Sequence, residues 1–212
     1  MADIVLDVQS ASATPASGQT VIFSETVGKR LSFKDDAGRV YTLGNSGIKN
    51  YSTAAQGAGF ASDTYVTGSN VLLPSSLTMQ AGAQYCCKIS LSKTAAGVAA
   101  PTCILRVGTA GTVSDAAVLT FTGAIQTAAA DVGLIGVLAT WRSIGASGVL
   151  QGTFYLTHNS ANAAGLGGTN VIEVTGSAFN TTTASLQMGI SLNYGASASV
   201  TVTQVEAQLL NT

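Results

Sequence analysis

The chain has 212 residues and a formal net charge of −1 at pH 7, and only 9% of its residues are charged. Its nine Lys and Arg residues form no cluster, which argues against a nucleic-acid partner because such a partner needs several cations on one face. Globular proteins average roughly 25% charged residues. We therefore expect much of this surface to be covered, in an obligate oligomer or a larger assembly.

The N-terminal sequence and the apolar runs predict where the protein is made. The segment MADIV lacks a positively charged region followed by a long apolar core, so no secretory signal is expected. The longest apolar run, 132–141, is too short to span a bilayer, which needs about 20 residues. We therefore predict synthesis in a cytoplasm and no membrane partner.

Residues 1–45 are predicted to form a separate β-hairpin module. After a short apolar run at 21–23, residues 30–34 and 39–43 alternate between apolar and polar around the turn sequence DDAG. Ten of the nineteen charged residues lie within the first 49 residues, so this segment differs in character from the rest. An isolated hairpin is only marginally stable, and we expect this one to dock on a larger structure.

Residues 46–63 are small and polar with weak periodicity, and they are predicted to be a linker. Residues 64–212 then show apolar alternation separated by Gly, Asn, Ser and Asp clusters, which predicts strands and turns. The predicted strands are 65–73, 85–92, 102–108, 117–122, 132–143, 149–158, 170–175, 184–194 and 199–209. A change of face within the last strand predicts a β-bulge near Gln204.

The predicted fold class is all-β: an antiparallel, jelly-roll-like β-sandwich over 64–212, preceded by the hairpin module. No segment of twelve or more residues shows a helical period with caps. The number and spacing of the strands are typical of a sandwich or barrel. The length of several strands favours a two-sheet jelly roll over an immunoglobulin fold, whose Cys…Trp…Cys spacing is missing.

Cofactor and metal sites are not expected. Cys86 and Cys87 are adjacent, so their side chains point to opposite faces of a strand, and with Cys103 they form no CxxC spacing. We interpret all three as reduced, mostly buried side chains. The DDAG turn lacks the alternating oxygen ligands and closing Glu of a calcium loop.

The sequence also contains no recognisable catalytic set. His158 is the one histidine, and no GxSxG segment or neighbouring carboxylate completes a triad with it. The later carboxylates show no spacing that singles out a pair for glycoside hydrolysis. We predict that the protein is not an enzyme. Turnover of a host polysaccharide that is lost on substitution of Asp131 or Glu173 would instead support an enzymatic function.

Three residues inside predicted strands are candidates for an oligomer interface. Arg106 and Arg142 are isolated cations in an almost uncharged region. A lone Arg in a strand usually lies on the solvent face; the alternative is that each pairs with an acidic residue, Asp115, Asp131 or Glu173, at a subunit contact. Trp141 is a candidate anchor for the same interface, with burial in the core as the alternative.

Two stretches carry a family resemblance. The first is residues 14–43, TPASGQTVIFSETVGKRLSFKDDAGRVYTL, and the second lies within 85–159 and includes LSKTAAGVAAPTCILRVGTAGTVSDAAVLTFTGAIQTAAADVG and VLQGTFYLTHN. The first resembles the N-terminal module of tailed-bacteriophage appendage proteins. The second is similar to a β-rich domain of phage virion structural proteins.

The resemblance implies a virion location and a structural function. It implies a homotrimeric capsid-decoration, head-fibre or tail-fibre protein that attaches to other capsid or tail proteins through its N-terminal module. The residues assigned to that attachment are the apolar positions of the hairpin module: Val21, Phe23, Leu31, Phe33, Tyr41 and Leu43. The alternative is a receptor-binding protein whose loops at 159–169 and 176–183 hold a host glycan.

Overall fold

The computed structural model describes residues 8–9, 13–25, 31–36, 40–42, 48–73, 80–159, 165–167, 170–183 and 185–210. The chain divides into two compact units, Met1–Ser46 and Gly47–Thr212. Among the described residues, no helix is long and apolar enough to cross a bilayer. The strands account for most of the described structure, so the all-β prediction is confirmed.

The first unit contains a four-stranded sheet. Its strands are β1 (Val8–Gln9), β2 (Thr20–Glu25), β3 (Leu31–Asp35) and β4 (Val40–Thr42), and they lie in that order in the sheet. The predicted hairpin is present as β3 and β4, in which Phe33 lies opposite Tyr41. At the N-terminal end of β2, the backbone N–H of Gly18 donates a hydrogen bond of 2.6 Å to Asp36 Oδ2.

The second unit is a sandwich of two sheets. In chain order its first six strands are β5 (Ile48–Ser52), β6 (Gln56–Gly59), β7 (Thr64–Tyr65), β8 (Val71–Leu72), β9 (Gln84–Lys93) and β10 (Thr102–Gly108). The other six are β11 (Ala116–Thr122), β12 (Asp131–Ser143), β13 (Val149–His158), β14 (Asn170–Thr175), β15 (Gln187–Asn193) and β16 (Val200–Leu210).

The order of these strands is that of a jelly roll. The larger sheet runs β14-β13-β12-β9-β16-β5, with β6 also paired to β16. The smaller sheet runs β11-β10-β15-β7, with β8 also paired to β15. The first and last strands of the unit are therefore neighbours, and the chain crosses repeatedly between the sheets, with β10–β11 and β12–β13–β14 each staying within one sheet. The hairpin of β13 and β14 widens the larger sheet at one edge.

Apolar alternation positions the core between the sheets. On β9 the side chains of Tyr85, Cys87, Ile89 and Leu91 are all buried, whereas those between them are exposed or half-buried. Strand β13 alternates in the same way, and its Phe154 stacks on Phe121 of β11 across the two sheets. In β15 the five middle residues are all buried. Each buried Leu, Ile or Phe contributes about 1.5–3 kcal/mol relative to exposure.

Two predicted boundaries are wrong. Most of the predicted linker 46–63 belongs to the sandwich, because β5 and β6 both pair with β16. The predicted strand 65–73 is interrupted by a turn in which Gly68 has φ +85° and the buried Ser69 hydroxyl donates to the Val66 carbonyl. The predicted bulge in the last strand is confirmed, since the register of β16 shifts between Val202 and Gln204.

Candidate functional site

The outer face of the larger sheet presents side chains from six strands that are paired in order from β14 to β5. Direct cross-strand partners form two rows that cross all six strands from β14 to β5. One row is Glu173, Thr153, Leu138, Cys86, Gln208 and Lys49. The next row is Val171, Tyr155, Gly136, Lys88, Glu206 and Tyr51. Gly136 is buried, and the other residues of the two rows are exposed or half-buried.

Tyr155 flattens the middle of this face. A Cβ atom added to Gly136 would lie 1.9 Å from Tyr155 Cζ, so the tyrosine ring rests directly on the glycine backbone. On the other side of Gly136, Lys88 lies directly opposite Glu206. Opposite charges in such a cross-strand pair stabilise each other, and the centre of the face therefore has no net charge from these two residues.

A shallow depression of about 450 Å³ lies at one end of the outer face. Its polar lining is neutral at most positions and comes from Ser90, Ser92, Thr157, His158, Asn159 and Thr203. The apolar part of the lining includes Val132, which is 49% exposed, and Leu134. A concave site with an apolar floor and a few hydroxyl and amide groups suits a small neutral ligand better than an ion.

A buried charged cluster lies next to that depression. Lys93 and Asp131 are direct cross-strand partners on β9 and β12, and both are buried. Asp131 Oδ1 accepts the Val132 N–H at 2.8 Å, and Oδ2 accepts the Leu166 N–H at 3.1 Å. His158 Nδ1 lies 3.3 Å from Asp131 Oδ2. A second depression, of about 320 Å³, reaches Lys93 and Asp131.

The Lys93 ammonium is used for structure. It donates hydrogen bonds to the carbonyl oxygens of Gly97 at 2.7 Å, Thr127 at 2.5 Å and Gly165 at 2.7 Å. Burial lowers the pKa of Lys93, and the Asp131 carboxylate opposes that change. Because all three N–H donors are occupied, this amine is a clamp on three loops rather than an available base or nucleophile.

The thiols are also poor candidates for chemistry. All three cysteines are free; Cys87 and Cys103 are buried, and Cys86 is half-buried on the outer face. Burial raises the pKa of Cys87 to about 12 and raises that of Cys103 as well. Since the thiolate is the reactive form, these side chains are inert near neutral pH. In the part of the chain that the structure describes, no three His, Cys, Asp or Glu residues are grouped to hold a metal ion.

The structure corrects two of the three predicted interface residues. Arg106 is buried within its own chain, where it forms an ion pair with Asp63 and donates hydrogen bonds to the Asp115 carbonyl at 2.7 Å and to Ser191 Oγ at 2.8 Å. Trp141 is fully buried in the core. Trp141 points between the sheets, whereas Arg106 lies on the opposite face of β10 from the core residues Leu105 and Val107. Neither side chain is free to contact a second subunit, because Trp141 is enclosed by the core and Arg106 is held by partners within its own chain. Arg142 is exposed, and its interface role stays a prediction.

The predicted attachment residues are only partly described. Phe23 is buried and Val21 is half-buried, so Phe23 is not free to contact another protein in this conformation. The neighbouring Ile22 is 54% exposed, although the sequence analysis did not select it. Leu31, Phe33 and Tyr41 lie on β3 and β4, but their side chains are outside the described part of the structure, as is the whole of Leu43.

Sequence reasoning missed the Lys93 clamp and the cross-strand rows. A signal for Lys93 was present, because it continues the inward alternation of Tyr85, Cys87, Ile89 and Leu91. A charged residue at an inward position normally has partners. Those partners lie on loops distant in sequence, so alternation could not identify them.

Known proteins provide no further guide to this site. No protein-family model matches the chain, and no curated protein is significantly similar to it.

Proposed function

We propose that this protein is a non-enzymatic structural component of a tailed-bacteriophage virion. It is a homotrimeric capsid-decoration or fibre protein that attaches to other virion proteins through its N-terminal unit. Its location is the virion, after synthesis in the host cytoplasm, and its function needs no cofactor. The sequence resemblance at 14–43 and within 85–159 supports this proposal.

The observation that carries the proposal is the outer face of the larger sheet. It has the exposed apolar side chains Tyr51, Leu138 and Val171, and its central charges, Lys88 and Glu206, are direct cross-strand neighbours of opposite sign. A regular face with exposed apolar side chains is costly to leave in water and typical of a surface covered by another protein.

A direct test is the mass of the purified protein in solution, measured by light scattering at micromolar concentration. The proposal predicts about three times the chain mass of 21.2 kDa. A second measurement uses a chain that begins at Gly47, since β5 belongs to the sandwich. If that shorter chain is also trimeric, the sandwich drives assembly and the first unit is available for attachment. A monomeric full chain would contradict the proposed trimer.

Attachment to a particle needs its own experiment. An antibody raised against the purified chain would be applied to tailed-phage particles from the source strain and located by immunogold electron microscopy. Label at the capsid or the tail would support the proposal and distinguish those two positions. Detection of the protein in purified particles by mass spectrometry would support the virion location independently. Absence of the protein from those particles would contradict the proposal.

The depression beside His158 favours a second function, recognition of a host glycan by a tail-fibre protein. Its neutral hydroxyl and amide groups, together with the exposed Val132, match the mixed polar and apolar surface of a sugar. Asn159 also begins one of the two loops that the sequence analysis selected for this role. A glycan array with the wild-type chain and a Ser92→Leu variant tests it: a signal lost in the variant supports glycan binding, and no signal on either chain counts against it.

A further inference from the structure

The two edges of the outer face have opposite charges. Lys49 on β5 and Glu173 on β14 are both exposed and belong to the same cross-strand row. Five inter-strand spacings of about 4.8 Å separate them, or roughly 24 Å. That distance exceeds the Debye length of about 8 Å at physiological ionic strength. The two charges therefore do not stabilise each other within one chain.

The neighbouring row repeats this relationship with apolar side chains. Tyr51 on β5 is 73% exposed, and Val171 on β14 is 74% exposed. Each lies two residues from the charged residue on its own strand and points to the same face. One edge therefore presents an aliphatic side chain with a carboxylate, and the other edge presents an aromatic side chain with an ammonium group.

The centre of the face needs no charged partner. Lys88 and Glu206 are opposite each other within the chain, and Tyr155 covers Gly136. Leu138 and Cys86 form the central pair of the other row. In these two rows, the charges without an oppositely charged cross-strand partner are therefore those at the edges, Glu173 and Lys49.

We infer that the two edges of this face bind a second copy of the same chain, so that the β14 edge of one copy meets the β5 edge of the next. This arrangement brings Glu173 of one copy to Lys49 of its neighbour and Val171 to Tyr51. The contact is heterologous, so each copy uses one edge on each side, and three such contacts close a ring if the rotation between copies is one third of a turn. The inference rests on the proposed homotrimer and specifies its contact surface.

The two edge strands set the extent of this contact. β5 has 5 residues and β14 has 6, so about 17–20 Å of strand is available at each edge. Electrostatic complementarity of the edges would set the register between copies, and the apolar side chains would supply most of the affinity.

Charge exchange tests this contact in the full-length chain. The variants are Lys49→Glu, Glu173→Lys and the double variant with both changes, and the measurement is the association constant from sedimentation equilibrium. Each single change places like charges together and should weaken association by about tenfold, whereas the double variant restores an opposite pair and should recover most of the loss. Thr120→Lys adds a charge to an exposed position of β11 in the other sheet and should leave association unchanged.

The outcomes separate this inference from the proposed function. Loss in both single variants with recovery in the double variant supports the contact. A wild-type trimer that all the variants retain unchanged overturns the contact and leaves the homotrimer standing. A wild-type monomer at micromolar concentration overturns both. Loss in the single variants without recovery in the double variant also overturns the pairing of Lys49 with Glu173.

Discussion

Lys93 donates a hydrogen bond from Nζ to the carbonyl oxygen of Gly165 over 2.7 Å, although the two residues are 72 positions apart in the sequence. The same ammonium group holds the Gly97 and Thr127 carbonyls, so a single side chain joins three loops at one end of the sandwich. A lysine in such a position contributes to folding stability through all three bonds.

We expect Lys93→Met to lower the free energy of unfolding by about 3 kcal/mol, because the substitution leaves three carbonyls without their charged donor and removes the cation beside Asp131. The measurement is urea denaturation at pH 7. Lys88→Met is the matched control: Lys88 is exposed on the same strand, and its loss should cost less than about 1 kcal/mol. Equal effects of the two substitutions would show that the three hydrogen bonds of Lys93 add no stability beyond that of an exposed lysine.

The ion pair of Arg106 with Asp63 leads to a second prediction. Arg106→Met should destabilise the chain by about 3–5 kcal/mol, because it leaves the carboxylate and the Asp115 carbonyl without their buried partner. Arg142→Met, at an exposed position, should change stability by less than about 0.5 kcal/mol. The loss for Arg106→Met should not depend on protein concentration. If the difference in stability between the wild type and Arg106→Met disappeared at low protein concentration, Arg106 would instead contribute to a subunit interface.

Gly152 marks a place where the two sheets approach closely. A Cβ atom at this position would lie 2.4 Å from Leu119 Cδ1 and 3.1 Å from Phe121 Cζ, both in the core. Gly152→Ala should therefore cost about 1–3 kcal/mol through overpacking, measured as a lower midpoint in thermal unfolding. Gly57→Ala on β6, where no atom lies within 4 Å of the added Cβ, is the control and should be nearly neutral. The reverse ranking would contradict the packing described here.

Buried phenols and thiols make stability sensitive to alkaline pH. Burial raises the pKa of Tyr65 from 10.0 to about 12 and that of Cys87 from 9.0 to about 12. A group whose pKa is raised by folding keeps its proton longer in the folded state, so its contribution is complete below the unfolded pKa and is lost as the pH rises through the folded value. Urea midpoints should therefore be steady at neutral pH and fall between about pH 9 and pH 12.

Tyr65→Phe tests the source of this pH dependence. Within the described part of the chain, the Tyr65 hydroxyl has no hydrogen-bond partner, so the variant should lose little stability at pH 7. Above pH 10 the variant should become more stable than the wild type, because it has no phenol to ionise. Tyr51→Phe removes an exposed phenol and is the control. Parallel pH curves for wild type and Tyr65→Phe would contradict the assignment.

The amino-acid sequence by itself determined the strands and the fold class. Apolar alternation depends only on neighbouring residues, because successive side chains of a strand point to opposite faces. For that reason β9, β10, β12 and β13 lie close to their predicted positions, and the bulge in β16 lies where its apolar side chains change face.

Only the tertiary structure decided which distant segments meet. Ile48 lies opposite Leu209 in the sheet, and this pairing converts a small, polar segment from a linker into the edge strand β5. The same long-range pairing places Lys49 and Glu173 at the two edges of one face and seats Lys93 among three carbonyls. Local periodicity contains no information on such partners, because they are set by the closure of the chain around its core.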